Sequence, residues 1–395
     1  MLLAKKIRLK PTPEQEIQFR KSAGVARWAY NYYVFENERV YAEHLANGET
    51  GPKSISEGKV RKYINNVLKK TTHTWLSEVG SNVMKQAVKD AKTAFDRYFK
   101  KLAEKPCPKK KHKSKPSFYV NYESLSRENG GFRGEKLGFV RTVHPLPKLP
   151  KGKKYQNPRI TFDGKYWYLS VAYEVPDEPY ELTEESVGID LGLKDLAICS
   201  NGTVYKNINK SKKVRQLKKK LKREQRKAAR KRNVNTERYE MVHGKRRPVY
   251  KRPLSECRNL QKQNQKVRLL HRRLTNIRNN YLHQTTTEIV KTKPSRIVME
   301  TLNVKGMMKN KHLSAAVQEQ KFYEFKRQIM YKCQRHGIAF VQVPRFYPSS
   351  KTCSRCGCMK QDLKLSDRIY TCRECGLVMD RDFNASLNLA NYPSA

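Results

Sequence analysis

Acidic side chains are scarce in this 395-residue chain: 36 Asp and Glu stand against 84 Lys and Arg, a formal net charge of +48. That surplus goes far beyond what solubility requires and suits a polyanionic partner, first of all a phosphate backbone, whose binding then weakens steeply with salt. Long apolar runs are also missing. Nothing approaches the ~20 consecutive apolar residues of a membrane span, and no apolar core follows the basic start as it does in a secretory signal. We therefore expect no membrane association and a soluble, intracellular protein. Disulfides are not expected either. Of nine cysteines, four fall into two Cys-x-x-Cys pairs, which in a long basic chain read as one metal site in a reduced protein. Cys107, Cys199, Cys257, Cys333 and Cys358 read as ordinary thiols. An apolar content of 37%, with 22 Tyr, suffices for real cores, and the length allows two or three domains.

Residues 2–10 alternate apolar and basic side chains up to Pro11 and read as a strand with one wet, cationic face. From Thr12 the period becomes helical, opened by a cap, a first-turn proline and an early acid, and it recurs to about Lys105 with breaks near 48–53 and 71–74. A lysine-rich, proline-punctuated connection, 105–116, leads into strands around 117–122, 138–143 and 157–173. Asp163-Gly164 inside the last of these is a hairpin signal. The helices thus look inserted between the first strand and the rest of a β-domain. Beyond a proline- and acid-rich linker at 176–185, three short apolar runs (187–189, 196–200, 203–205) suggest a meander. Two long basic helices are expected at 210–232 and 259–292, a buried strand at 296–300, a helix at 315–336, a strand at 338–343 and a last helix at 380–389. An RNase H-like sheet has this order of elements, with extra pieces inserted.

Three acids stand at the ends of successive sheet elements. Asp190 closes the run Gly188-Ile189-Asp190-Leu191-Gly192, whose glycines allow another backbone, a phosphodiester included, to come close. Glu300 ends Ile297-Val298-Met299, where a bare carboxylate is costly unless a cation or donor meets it. Asp382 lies in Asp380-Arg381-Asp382-Phe383-Asn384-Ala385 at a helix start. Each has a bland explanation: a turn former, a salt bridge to a nearby lysine, a helix cap. Together they fit a divalent-metal centre, because two Mg²⁺ ions need oxygen ligands and a shared carboxylate holds them about 4 Å apart. Asp190 is then the bridging ligand, with Glu300 and Asp382 completing the spheres. Asp380 competes for the third place, and Asp195 reads as a turn residue or a more distant acid.

Cys353, Cys356, Cys372 and Cys375 have the spacing of a zinc ribbon, a closed sphere of four thiolates and hence one structural Zn²⁺. Cys358 fits the knuckle poorly. The helix at 210–232, with Lys218 and Lys222, is basic on nearly every face; a solvated surface is the plain reading, and a phosphate-gripping helix the functional one. Trp28, Tyr30, Tyr32, Tyr33, Phe118 and Tyr119 lie beside basic residues and could stack on bases, although core packing accounts for most of them.

The blocks Gly188-Ile-Asp-Leu-Gly, Glu300-Thr-Leu-Asn-Val-Lys-Gly-Met, Tyr347-Pro-Ser-Ser-Lys-Thr-Cys-Ser-Arg-Cys-Gly and Asp380-Arg-Asp-Phe-Asn-Ala-Ser-Leu-Asn resemble the signature blocks of the TnpB (OrfB) family of insertion-sequence transposons. Ala26-Arg-Trp-Ala-Tyr-Asn31 and Val83-Met-Lys-Gln-Ala-Val88 resemble that family too, so the likeness covers nearly the whole chain. It implies an RNA-guided, Mg²⁺-dependent DNA endonuclease related to the type V CRISPR effectors, with a guide RNA from the transposon end and a short duplex motif beside the target. It also implies a multidomain α/β fold: a wedge β-domain (1–11 and 106–182), an inserted helical recognition domain (12–105), an RNase H-like RuvC nuclease domain (183–346 and 379–395, with a basic helical insertion at 207–292) and a zinc ribbon (347–378). The RuvC triad falls on Asp190, Glu300 and Asp382, choosing Asp382 over Asp380. Asn82 and Gln86 align with the region that reads the target-adjacent motif, and such amides can read adenine edges. The segment 233–255 departs from the pattern by its length and basicity, and no extended tail follows Asn388. The resemblance further suggests a monomer on RNA, in the cytoplasm and on the nucleoid when bound to DNA. A DNA-binding regulator without cleavage and a transposase are the competing readings.

Overall fold

The computed structural model describes residues 1–51, 53–111, 113–242, 244–364 and 366–393. His112 of the lysine-rich connection and the last two residues of the segment 379–395 lie outside that set. The chain forms two compact units, one of Leu2–Val175 and one running from Pro176 to the C-terminal end together with Met1.

The first unit opens with β1 (Leu2–Lys10), which buries Ile7 and Leu9 on one face as its alternation requires. Thr12 and Gln15 form a reciprocal capping box around Pro13 and start α1 (Pro13–Ala46). That helix ends at Asn47, ahead of Gly48 at φ +74°. After α2 (Glu57–Tyr63) comes α3 (Ser81–Phe99), whose stripe Val83, Ala87, Val88, Ala91 and Phe95 is buried. The remaining strands are β2 (Ser117–Tyr119), β3 (Ser126–Glu128), β4 (Gly131–Gly134), β5 (Gly138–Thr142), β6 (Gln156–Phe162) and β7 (Trp167–Glu174). They join β1 in one sheet of order β2-β6-β7-β1-β5-β4-β3. The opening strand therefore does return to the sheet, antiparallel to β7 and β5, with the helices inserted after it. The β6–β7 hairpin turns at Asp163, whose carboxylate accepts from the Lys165 and Tyr166 amides, and at Gly164 (φ +98°). Strands β3 and β4 were not legible in the sequence, since a Gly-Phe-Arg-Gly run carries almost no alternation.

In the second unit, β8 (Ser186–Leu191), β9 (Asp195–Cys199) and β10 (Val204–Lys206) form the antiparallel meander. Then follow α4 (Lys212–Val234), β11 (Thr236–Val242), β12 (Lys245–Tyr250), α5 (Arg258–Lys291) and β13 (Arg296–Met299). Next come α6 (Val304–Lys309), α7 (Ser314–Gln320), α8 (Phe322–His336) and β14 (Ala339–Gln342), and finally β15 (Ile369–Thr371), β16 (Val378–Asp380) and α9 (Arg381–Ala390). The central sheet has the order β10-β9-β8-β13-β14, with β13 parallel to both β8 and β14. Its core holds Val187, Ile189, Ile297, Met299, Phe325 and Ile329.

Two expectations for this unit need correction. The helix read over 315–336 is broken at Lys321, which takes a left-handed conformation (φ 57°) and sends Nζ to Asn279 Oδ1 at 2.5 Å. Just before the break, the Gln320 side chain turns inward and donates to the Gly192 carbonyl at 2.9 Å. The insertion read as basic and helical over 207–292 also carries strands, the β11–β12 hairpin lying between its two long helices. Among the described residues no helix is long and apolar enough to cross a membrane.

Candidate metal centres

Strand pairing brings the first two acids together. Met299 lies opposite Ile189 in the parallel β8–β13 ladder, so Asp190 and Glu300, the next residue on each strand, emerge side by side at the same sheet end. The third acid comes from α9, which lies on β8. Gly188 makes that approach possible: a Cβ there would stand 2.0 Å from the Ser386 carbonyl oxygen and 2.4 Å from the Ala390 amide nitrogen. The glycine thus lets another backbone come close, as its place in the sequence suggested, and here that backbone is a helix's.

The three carboxylates sense one another. Burial, then the charges of Glu300 and Asp382, push Asp190 well above the ordinary carboxylate range. Burial, then Asp382, raises Glu300 to about 7. Among the described residues no hydrogen-bond donor meets the side chain of Asp190 or Glu300, so the salt bridge weighed for Glu300 is not formed. Asp382 is partnered by Arg381 Nη2 at 3.2 Å and more loosely by Arg368 Nη1 at 3.8 Å. Asp380 is occupied elsewhere: its Oδ1 caps α9 by accepting from the Asp382 and Phe383 amides at 2.9 and 3.1 Å. Asp195 starts β9 and pairs with Lys206 at 3.5 Å. Asp190, Glu300 and Asp382 form an oxygen-only set, short of donors and carrying mutual repulsion, which is the environment a hard divalent cation relieves.

Cys353, Cys356, Cys372 and Cys375 place their four sulfurs within 4.8 Å of one another. Cys353–Cys375 and Cys356–Cys372 are each 3.6 Å apart. Tetrahedral zinc with Zn–S bonds of about 2.3 Å requires sulfurs ~3.8 Å apart, so the set fits. The amide of Cys375, and then that of Glu374, hold the Cys372 thiol down to about 7, while desolvation, and then hydrogen bonding among the sulfurs, pushes Cys356 and Cys375 up. Cys358 is exposed and stays outside this set. Sequence reading missed what joins the ribbon to α9. Asn384 and Asn388 are buried in that helix, and both bond the backbone that leads into the first knuckle. Asparagines four residues apart, and so on one face of a short helix, were the available signal.

The remaining candidates are spread out. Asn82 and Gln86 lie half-buried one turn apart on α3. Gln86 Nε2 donates to Asp90, itself clasped by Arg159 through two bonds of 2.7 and 2.8 Å. Lys218 is engaged with Glu319 at 2.7 Å. Lys222 is exposed and lines a concave basic surface with Lys213, Lys219, Lys220, Arg223 and Arg273. Of the aromatics, Tyr30, Tyr33 and Phe118 are core, while Trp28 and Tyr32 stack on each other at 5.2 Å.

The architecture is that of a class of multidomain α/β proteins sharing the Cas12f fold. The chain aligns with the protein of a Cas12f1–sgRNA–target DNA complex over 99% of both chains, with a TM-score of 0.58 at 13% identity. Sequence comparison gives matching family models. The models described as "Probable transposase" (OrfB_IS605), its "Helix-turn-helix domain" and "Cas12f1-like, TNB domain" match residues 170–311, 1–45 and 322–389. Two of these models are of the OrfB family, and the chain is similar to TnpB-like proteins along nearly its whole length. Relatives include a Streptomyces pristinaespiralis protein named "Putative RNA-guided DNA endonuclease", 29% identical over 97% of this chain and 87% of its own. The Escherichia coli protein of that description, InsQ, is 29% identical over 98% and 91%. TnpB-like protein L770 of Acanthamoeba polyphaga mimivirus is 26% identical over 98% and 72%. The segment matched as helix-turn-helix is here one strand and one 34-residue helix.

Proposed function

We propose that this protein is a transposon-encoded, RNA-guided DNA endonuclease that hydrolyses both strands of duplex DNA at one site made of Asp190, Glu300 and Asp382. The observation that carries the reading is the convergence of three carboxylates, Asp190 of β8, Glu300 just beyond β13 and Asp382 of α9, two of them pushed toward protonation and, among the described residues, without donors. Relatives named as RNA-guided DNA endonucleases, alignable along nearly the whole chain, supply the guided part. The sheet order β10-β9-β8-β13-β14 supports an RNase H-like reading, in which residues 183–346 and 379–395 form a RuvC domain, with 347–378 as its zinc ribbon and 207–292 as its insertion. Residues 1–11 and 106–182 act as the wedge, and 12–105 as the recognition bundle.

Asp190, Glu300 and Asp382 would hold Mg²⁺, which would supply water activation and stabilisation of the leaving oxygen. Arg381 and Arg368 neutralise Asp382 until a cation takes over. Target choice belongs to base pairing with a guide RNA, whose duplex the protein holds by its backbone. Asn82 and Gln86 are assigned to the motif beside the target, and Lys218 and Lys222 to phosphates. The protein acts as a monomer on its RNA.

The test is Asp190→Ala, purified with its co-purifying RNA. Matched target should still bind while cleavage falls by several orders of magnitude; undiminished cleavage rejects the assignment. Sequencing that RNA separates guided from unguided action, and transposon-end joining without RNA would favour a transposase.

A further inference from the structure

Asp382 belongs to two structures at once. Its carboxylate, in the first turn of α9, lies near enough to Asp190 and Glu300 for its charge to act on both. Two residues on, about 200° around the helix, Asn384 points the other way, and Asn388 lies one turn beyond it on that same face. Both are buried, at 0% and 6% exposure.

Each asparagine is spent on backbone of the knuckle. Asn384 Nδ2 donates to the Thr352 carbonyl at 2.7 Å, and its Oδ1 accepts from the Ser354 amide at 3.0 Å. Asn388 Nδ2 donates to the Ser349 and Thr352 carbonyls at 2.7 and 2.6 Å. These contacts bracket Cys353. A buried amide whose partners are fixed backbone groups tolerates little sliding, because a shift strands donors and acceptors away from water. On its opposite side α9 rests directly on Gly188, and its C-terminal end is tied by Ser186 Oγ and Arg296 Nη2 to the Ala390 carbonyl. A slip of one residue would move Asp382 by about 1.5 Å and turn it by about 100°, whereas ligand distances hold only to about ±0.2 Å.

We propose that Asn384 and Asn388 are positioning residues of the carboxylate centre: they register α9 on the four-cysteine knuckle, so that the ribbon sets where Asp382 stands. The inference rests on the reading of Asp382 as a metal ligand. It gives the ribbon a task in the chemistry, through the placement of one acid, in addition to any contact with nucleic acid.

The test uses the full-length, RNA-free protein and Mn²⁺ as the probe, titrated calorimetrically, beside zinc analysis and Mg²⁺-dependent cleavage by the RNA-loaded form. Asn388→Ala and Asn384→Asp are compared with Asp382→Ala and with Leu282→Ala, a core truncation away from α9. Asn384→Asp keeps the size and the acceptor for Ser354 and carries the test if Asn388→Ala does not fold. The asparagine variants should keep one zinc per chain, bind Mn²⁺ about 10–100-fold more weakly, and recover cleavage at raised Mg²⁺. Leu282→Ala should lose stability without that loss of Mn²⁺. If Asp382→Ala abolishes Mn²⁺ binding while both asparagine variants bind like wild type, this inference falls and the metal reading stands. Unaltered Mn²⁺ binding in Asp382→Ala overturns the metal reading itself.

Discussion

Glu300 shows how a single residue can weaken the fold it serves. Its ordinary pKa of 4.5 rises to about 7 in the folded protein, through burial and then the charge of Asp382. The folded state therefore holds a proton that the unfolded chain has released. The resulting stability is fully present below 4.5 and is lost as pH rises through 7. The loss is on the order of 3 kcal/mol, at 1.36 kcal/mol per pKa unit. Glu300→Gln should accordingly raise the unfolding temperature in EDTA at pH 8, leave it nearly unchanged at pH 4.5, and abolish cleavage. Thermal melts at the two pH values check the sign, and a variant less stable than wild type at pH 8 would contradict it. The same proton competes with metal, so cleavage at limiting Mg²⁺ should climb up to about pH 7. At this scale the acids were legible because Asp190 and Glu300 end apolar runs and Asp382 stands at a helix start. Asp380 and Asp382, both at the head of α9, could not be separated by residue type alone; the division of labour appears only when Asp380 is seen bonding two amides of its own helix. Asn384 and Asn388 stayed hidden because their partners are backbone groups some 30 to 40 residues earlier, which the four-residue spacing of the two asparagines does not identify.

Elements meet where side chains are missing. Gly188 lets α9 lie on β8, and a methyl group there would stand far inside contact distance of the helix backbone, which cannot yield as a flexible side chain would. We expect Gly188→Ala to lower stability by roughly 1–3 kcal/mol or more and to reduce cleavage sharply, since α9 must move and carry Asp382 with it. Gly192→Ala is the comparison: the nearest atom there is the Asp195 carbonyl oxygen at 3.2 Å, so only a slight adjustment is needed. Urea melts and cleavage rates of the pair check this, and equal effects would reject it. Most elements of the second unit could be read from period and length, as in the meander and the two basic helices. The β11–β12 hairpin could not, because Tyr239 and Met241 are largely exposed, and without a buried face a strand has no apolar alternation to display. The break between α7 and α8 was equally silent: the left-handed residue is a lysine, held by Asn279 of α5, and neither glycine nor proline marks it.

Across the whole molecule, +48 of formal charge must be matched by partners in sequence. An RNA carries one negative charge per nucleotide, so a guide longer than 48 nucleotides already exceeds the protein's surplus. The loaded complex is then net anionic, and DNA approaching it is repelled at long range and held by pairing and local contacts. The free protein behaves in the opposite way. With about 10 phosphate contacts its affinity for any duplex should fall ~10³–10⁵-fold between 50 and 200 mM salt, nearly regardless of sequence. Loading with RNA should therefore flatten the salt slope for DNA and make binding depend on a match to the guide. Filter binding of matched and scrambled duplexes across that salt range, with and without RNA, gives the four slopes required. An RNA-free protein that discriminates the two duplexes, or a loaded complex with the free protein's slope, would show that the cations read DNA directly and that the charge serves something other than the guide.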